Sequence, residues 1–145
     1  MLLSIGLNAS VRAVVSESDT ATALGSGDVP VLGTPRLLAL AEAAAVAAVA
    51  SQLAAGETTV GTSVLLEHRR ASPVGSALIV EAELTEMDGR RLVFSFIAFR
   101  EDSPGRPGDS DEHVLGAGTL ERVIVDAERF LARASHPAAP PPAPA

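Results

Sequence analysis

The stretch from Thr34 to Gln52, TPRLLALAEAAAVAAVASQ, constrains this chain more than any other. From Leu37 to Ala50 it holds only alanine, leucine, valine and one charged residue, Glu42. Alanine and leucine are strong helix formers, so the stretch predicts a helix. Thr34 is placed to cap the first turn, Pro35 suits the first helical position, and Gly56 reads as the stop. With apolar residues on nearly every side, the helix is expected to be buried rather than amphipathic. It is short for a membrane span and Glu42 interrupts it, so no membrane association is expected. So many alanines make a thin cylinder that other backbone can approach closely, and a sheet wrapped around it suits that shape.

Glu42 is the anomaly on this helix. A carboxylate in apolar surroundings is costly unless it is paired, hydrogen-bonded or protonated, and such carboxylates concentrate at functional sites. The helix alone leaves two readings open: a functional group, or a structural residue on a narrow exposed stripe or paired with an arginine.

The length, 145 residues, suits one domain, expected over 1–134, with 135–145 a proline-rich disordered tail. The chain has no cysteine, which excludes disulfides, a thiol nucleophile and a thiolate metal site. No basic region followed by a long apolar run opens the sequence, so a cytoplasmic location is expected. All eleven basic residues are arginine, which excludes Schiff-base chemistry and a Walker-type lysine. A net charge of −7, with neither tryptophan nor tyrosine, argues against nucleic-acid binding. One anionic ligand held by local arginines stays compatible with that charge, and the doublets Arg69–Arg70 and Arg90–Arg91 are the candidates. Solvated turn and strand-end charges are the alternative for each.

Around the helix the chain reads mainly as strands. Leu3 to Val15 predicts a first strand, followed by an irregular loop, SESDTATALGSGDVPVLG, that leads into the helix and is placed to cover its N-terminus. After the helix come candidate strands at Thr58–Arg70, Ala77–Met87 and Arg91–Arg100, the last two joined by the hairpin signal Asp88-Gly89. Short spacing makes the three antiparallel neighbours. A polar connector precedes a last strand, His113–Val125, and Asp126 is placed to cap a short helix, AERFLARA. Gly116-Ala117-Gly118 lacks the third glycine and the helix of a dinucleotide fingerprint, and that reading is rejected. One helix wrapped by a curved antiparallel sheet is an α+β domain, the hotdog arrangement.

Among chemistry-bearing residues, His68 ends the apolar run Val64-Leu65-Leu66 after Glu67, while His113 and His136 fall in polar segments and read as surface residues. No two histidines share ligand spacing on one element, so no metal site is expected. There is no G-x-S-x-G elbow. A hydroxyl at a helix N-terminus, whose free N–H groups can hold an oxyanion, suits acyl transfer when a carboxylate and a histidine stand nearby. Spacing alone does not establish that Thr34, Glu42 and His68 are so arranged.

Gly33-Thr34, Glu42, Gly61-Thr62, Glu67-His68, Pro73-x-Gly75 and Gly116-x-Gly118-Thr119-x-Glu121-Arg122 follow one another in a pattern that resembles the fluoroacetyl-CoA thioesterase family of hotdog proteins. The similarity runs from about Gly33 to Phe130. The resemblance implies a Thr–Glu–His catalytic set at Thr34, Glu42 and His68, and substrate contacts from Gly61 and Arg122. It also implies a homodimer with the site at the subunit interface and an acyl-CoA substrate bound through its phosphates, with Arg69 and Arg70 as candidate partners. No separate cofactor is implied, since CoA is part of the substrate. Where the fluoroacetyl-specific enzyme has phenylalanines forming a lid before the threonine, Gly25 to Leu32 here has no aromatic residue. That departure bears on selectivity for the fluoroacetyl group and leaves general thioesterase chemistry in place. The rival reading is a non-catalytic protein that sequesters acyl-CoA or a hydrophobic metabolite; a hotdog hydratase ranks lowest.

Overall fold

In the computed structural model, residues 3–102 and 113–136 are described. Five strands and three helices follow in this order: β1 (Asn8–Val14), α1 (Ala21–Leu24), α2 (Thr34–Val49), β2 (Glu57–His68), β3 (Ala77–Asp88), β4 (Arg91–Arg100), β5 (Val114–Asp126) and α3 (Ala127–Ser135). The strands form one antiparallel sheet in the order β1-β3-β4-β5-β2, and α2 lies against it. This is the expected α+β architecture.

The strands follow from alternation. On β4, Leu92, Phe94, Phe96 and Ala98 point to the helix and are buried, while Val93, Ile97 and Phe99 on the other face are half-buried. β3 repeats the pattern with Leu78, Val80, Ala82 and Leu84. Burying each large apolar side chain here contributes about 1.5–3 kcal/mol. The expected hairpin is present: Asp88 pairs with Arg91 across a turn where Gly89 takes a left-handed φ of 59°.

The order of the strands differs from the expectation of three consecutive antiparallel neighbours. β2 does not pair with β3; it crosses to the far edge and pairs with β5 from Glu57↔Asp126 to His68↔Gly116. The glycines of β5 explain the fit. A Cβ on Gly118 would run into the Leu65 carbonyl, and one on Gly116 would lie 2.8 Å from Leu37 and 2.9 Å from the Glu67 carbonyl. Gly116-Ala117-Gly118 thus serves close packing within a strand.

The helix also differs from the expectation. It is buried on one flank only, through Leu37, Leu40, Ala41, Ala44, Ala45, Ala48 and Val49, while Ala39, Ala43, Val46 and Ala47 are exposed. A single sheet layer covers one side of a cylinder, and most of that cover comes from β1 and β3. With the 3₁₀ turn that follows it, Thr34–Gln52 is in fact long and apolar enough by composition to cross a membrane, yet its buried flank is the core of the domain. Thr34 does not cap it. Gly33 takes the cap position without a side-chain bond, and Gly56 lies in the turn before β2.

The remaining departures are local. β1 starts at Asn8, after a turn at Gly6. The loop before α2 is more ordered than expected: Ser16 and Asp19 close a capping box around a 3₁₀ turn, and Thr20 caps α1. Asp126 caps α3 as expected, accepting a hydrogen bond from the Arg129 N–H at 3.0 Å. The proline-rich tail from 137 onward and residues 103–112 of the connector lie outside the described residues.

Candidate active site

The residues singled out from sequence fall into two groups on the open side of α2. The first gathers at its N-terminus. The hydroxyl of Thr34 lies 2.8 Å from Nδ1 of His68, which ends β2. The two flank a cleft of about 280 Å³ that Arg69 and Arg70 also line, with Ala21, Val31 and Leu32 from the loop before the helix. The loop therefore covers the helix N-terminus, and it contributes Ser26 beside these aliphatic side chains and no aromatic one.

Burial pushes the His68 pKa below the ordinary histidine value, and the Arg70 backbone pulls it part of the way back. The imidazole is neutral at pH 7 in consequence. Its second nitrogen, Nε2, is buried and has no hydrogen-bond partner among the described residues. A neutral imidazole tied to a hydroxyl on one side, with the other nitrogen free, is equipped to relay a proton. The first turn of α2 has no side-chain cap, so its positive end opens beside Thr34.

The second group lies two turns along the helix. Glu42 Oε2 accepts a 2.6 Å hydrogen bond from Nη1 of Arg122 on β5. The Arg122 side chain is only 8% exposed, and Thr59 holds two more of its donors: Nε to the Thr59 hydroxyl and Nη2 to the Thr59 carbonyl, each 2.9 Å. Glu42 keeps 34% of its side chain open. Gly61 makes the room for this pair, because a Cβ there would lie 2.5 Å from Glu42 Oε2 and 3.3 Å from Arg122 Nη1. Thr59 was missed in the sequence. Its signal is weak: a threonine one strand repeat before Gly61, at an inward position.

The groups do not meet within one chain. Eight residues at 1.5 Å per residue separate Thr34 from Glu42, about 12 Å along the axis. Arg69 pairs with Glu67 at 3.3 Å, and Arg70 forms no ion pair among the described residues. His136 is exposed and His113 half-buried, and no cluster of metal-ligating side chains occurs among the described residues.

Comparison with known proteins places the chain in a family. The sequence profile of the fluoroacetyl-CoA-specific thioesterase family matches residues 15–128. The fluoroacetyl-CoA thioesterase of Streptantibioticus cattleyicolor is 35% identical over 103 residues, which are 71% of this chain and 67% of that protein. A solved structure of the fluoroacetyl-CoA thioesterase FlK, a threonine-to-serine mutant in complex with acetyl-CoA, superposes with a TM-score of 0.78 at 28% identity over 91% of this chain and 96% of its own. A hot-dog-like protein from Thermanaerovibrio acidaminovorans shares the fold, with a TM-score of 0.75 at 20% identity over 90% of this chain and 89% of its own. The chain belongs to the fluoroacetyl-CoA-specific thioesterase family and is a thioesterase of the hotdog fold.

Proposed function

We propose that this protein hydrolyses small acyl-CoA thioesters at a site built from Thr34, Glu42 and His68 and completed across a homodimer interface. The observation that carries the reading is the Glu42–Arg122 pair: a half-open carboxylate on an apolar helix, held by a buried arginine in space that Gly61 leaves free. In the reaction the oxygen of water ends on the carbonyl carbon, the carbon–sulfur bond breaks, and the thiolate leaves with a proton. Glu42 serves as nucleophile, forming an anhydride that water then opens, or as the base that takes the proton from the attacking water. His68 and Thr34 relay the proton to sulfur, and the uncapped end of α2 stabilises the oxyanion. Gly61 and Arg122 hold Glu42 beside the substrate, and Arg69 and Arg70 supply positive charge to it.

Two observations favour the shared site. Within one chain Glu42 is too far from His68 to act with it. The centre of β2, from Gly61 to Leu65, is exposed on both faces as well as along its free edge, with Val64 and Leu65 43% and 59% exposed. A second copy placed there covers that surface and brings the two halves together.

Glu42→Gln tests the mechanism. It keeps the shape and removes the base or nucleophile, so thiol release from acetyl-CoA should fall at least a hundredfold while the thermal transition persists. A fully active Glu42→Gln protein contradicts the reading. The sequestration alternative draws on the aliphatic part of the cleft lining, Ala21, Val31 and Leu32. It predicts tight acyl-CoA binding with no thiol released across a panel of acyl chains.

A further inference from the structure

Of the two arginine doublets, Arg69–Arg70 borders the Thr34–His68 cleft, whereas Arg90–Arg91 takes no part in the site described above. Arg91 turns to Glu86 and Glu121. Arg90, just after the β3–β4 turn, instead lines a cavity of about 240 Å³ together with Arg129, Arg133 and Phe130 of α3, over a floor that includes Ile124. Three of the eleven arginines of a chain with net charge −7 thus converge on one small cavity.

The carboxylates nearby do not neutralise all three. Glu57 is taken by Arg90 at 3.1 Å, and Asp126, which also lines the cavity, is turned to the Arg129 backbone N–H as the cap of α3. Arg129 and Arg133 form no ion pair among the described residues. They stand one helical turn apart, a spacing at which like charges repel. Phe130 between them leaves 42% of its surface to solvent, and α3 buries none of its residues. Phe130 thus holds an aromatic ring in the open beside two guanidinium groups that have no ion-pair partner among the described residues. That arrangement suits a ligand with a planar ring and several negative oxygens.

We propose that the Arg90–Arg129–Arg133–Phe130 cavity binds a phosphorylated adenosine, namely the nucleotide end of the acyl-CoA substrate. The assignment rests on the thioesterase reading. Its geometry is consistent with that source. Ile124 on the cavity floor is two residues from Arg122 on β5, roughly 7 Å at the rise of a strand. A pantetheine arm spans that distance and extends beyond it, so a nucleotide seated here leaves the thioester able to reach Glu42. The cavity is also remote from the Thr34–His68 cleft, so charge for the phosphates and charge for the reacting group come from different arginines.

The test uses the full-length protein, the Arg129→Ala/Arg133→Ala variant and the corresponding double lysine variant. Their kinetics are compared on acetyl-CoA and on acetyl-pantetheine, which lacks the nucleotide. Calorimetry with adenosine 3′,5′-bisphosphate and with inorganic phosphate runs alongside. The alanine variant should raise KM for acetyl-CoA at least tenfold with kcat within twofold, leave acetyl-pantetheine kinetics as they were, and lose bisphosphate binding. The lysine variant, keeping charge without the planar fork, should fall between and show that the fold is intact. Phe130→Leu should weaken the bisphosphate and leave inorganic phosphate unchanged. An unchanged KM together with unchanged bisphosphate binding overturns the proposal. Loss of bisphosphate binding with an unchanged KM assigns the cavity to a free nucleotide and overturns the CoA-tail assignment. A wild-type protein that binds the bisphosphate through these arginines but hydrolyses no thioester keeps the cavity as a nucleotide site and refutes the thioesterase reading instead.

Discussion

Gly61 is the smallest residue of the site and the least free to change. Any Cβ there enters the space of the Glu42 carboxylate, 2.5 Å from Oε2. Its φ is not in the left-handed region, so the constraint is the space and not the backbone. Gly61→Ala should therefore leave the fold intact and lower kcat/KM about a hundredfold, the usual effect of displacing a reacting group by an ångström; steady-state kinetics beside a melting curve separates the two. His68 gives a second residue-scale prediction. Burial lowers its pKa in the folded chain, so the unfolded chain takes up that proton first as pH falls. The stability that neutral His68 contributes is complete above the ordinary histidine value of about 6.5 and is lost as pH drops from there towards the lower folded value. Denaturant midpoints measured from pH 8 to 5 should show this decline in the wild type and a smaller one in His68→Gln. Equal slopes would remove His68 as its source.

At the scale of elements, α2 decides how close the sheet can come. Ala41, Ala44 and Ala45 are fully buried, and β1 and β3 pack directly on the helix there. Ala45→Leu adds volume where no neighbour can retreat, and chemical denaturation should show a loss of about 1–3 kcal/mol. The same thinness leaves the other flank open, and this is where Glu42 finds both solvent and Arg122. The long strand β5 complements it: two glycines let β2 and α2 approach its beginning, and Arg122 reaches inward near its end.

At the scale of the whole molecule, the sheet has two edges, β1 and β2, and only β2 presents exposed apolar side chains at its centre. Val93, Ile97 and Phe99 on the outer face of β4 are half-buried, and Val64, Leu65 and Val46 of the helix are more exposed. Sedimentation at micromolar concentration should find a dimer, and specific activity should fall on dilution as it dissociates. Lysine at both Val64 and Leu65 should give a folded monomer without activity. A stable monomer that is fully active would show the site to be complete in one chain.

The long helix, the five strands, the short last helix and the family were legible in the order of the residues. A run of alanine and leucine, an Asp-Gly turn and the alternating centre of β3 act over a few residues, and that range is what a sequence displays. The spaced motif from Gly33 to Arg122 named the thioesterase family for the same reason, since order along the chain is retained. Only the tertiary structure decided the rest. A helix apolar on every side carries no mark of which flank is buried; the placement of β1 and β3 chooses it. Local spacing favoured pairing β2 with β3, and the close approach that Gly116 and Gly118 permit went to β5 instead. Thr34 had a cap to make and a histidine to bind, and its hydroxyl turned to His68 because β2 ends beside it. Arg122 had no visible partner 80 residues from Glu42, and Arg90 none in α3, because both relations exist only once the sheet has closed over the helix.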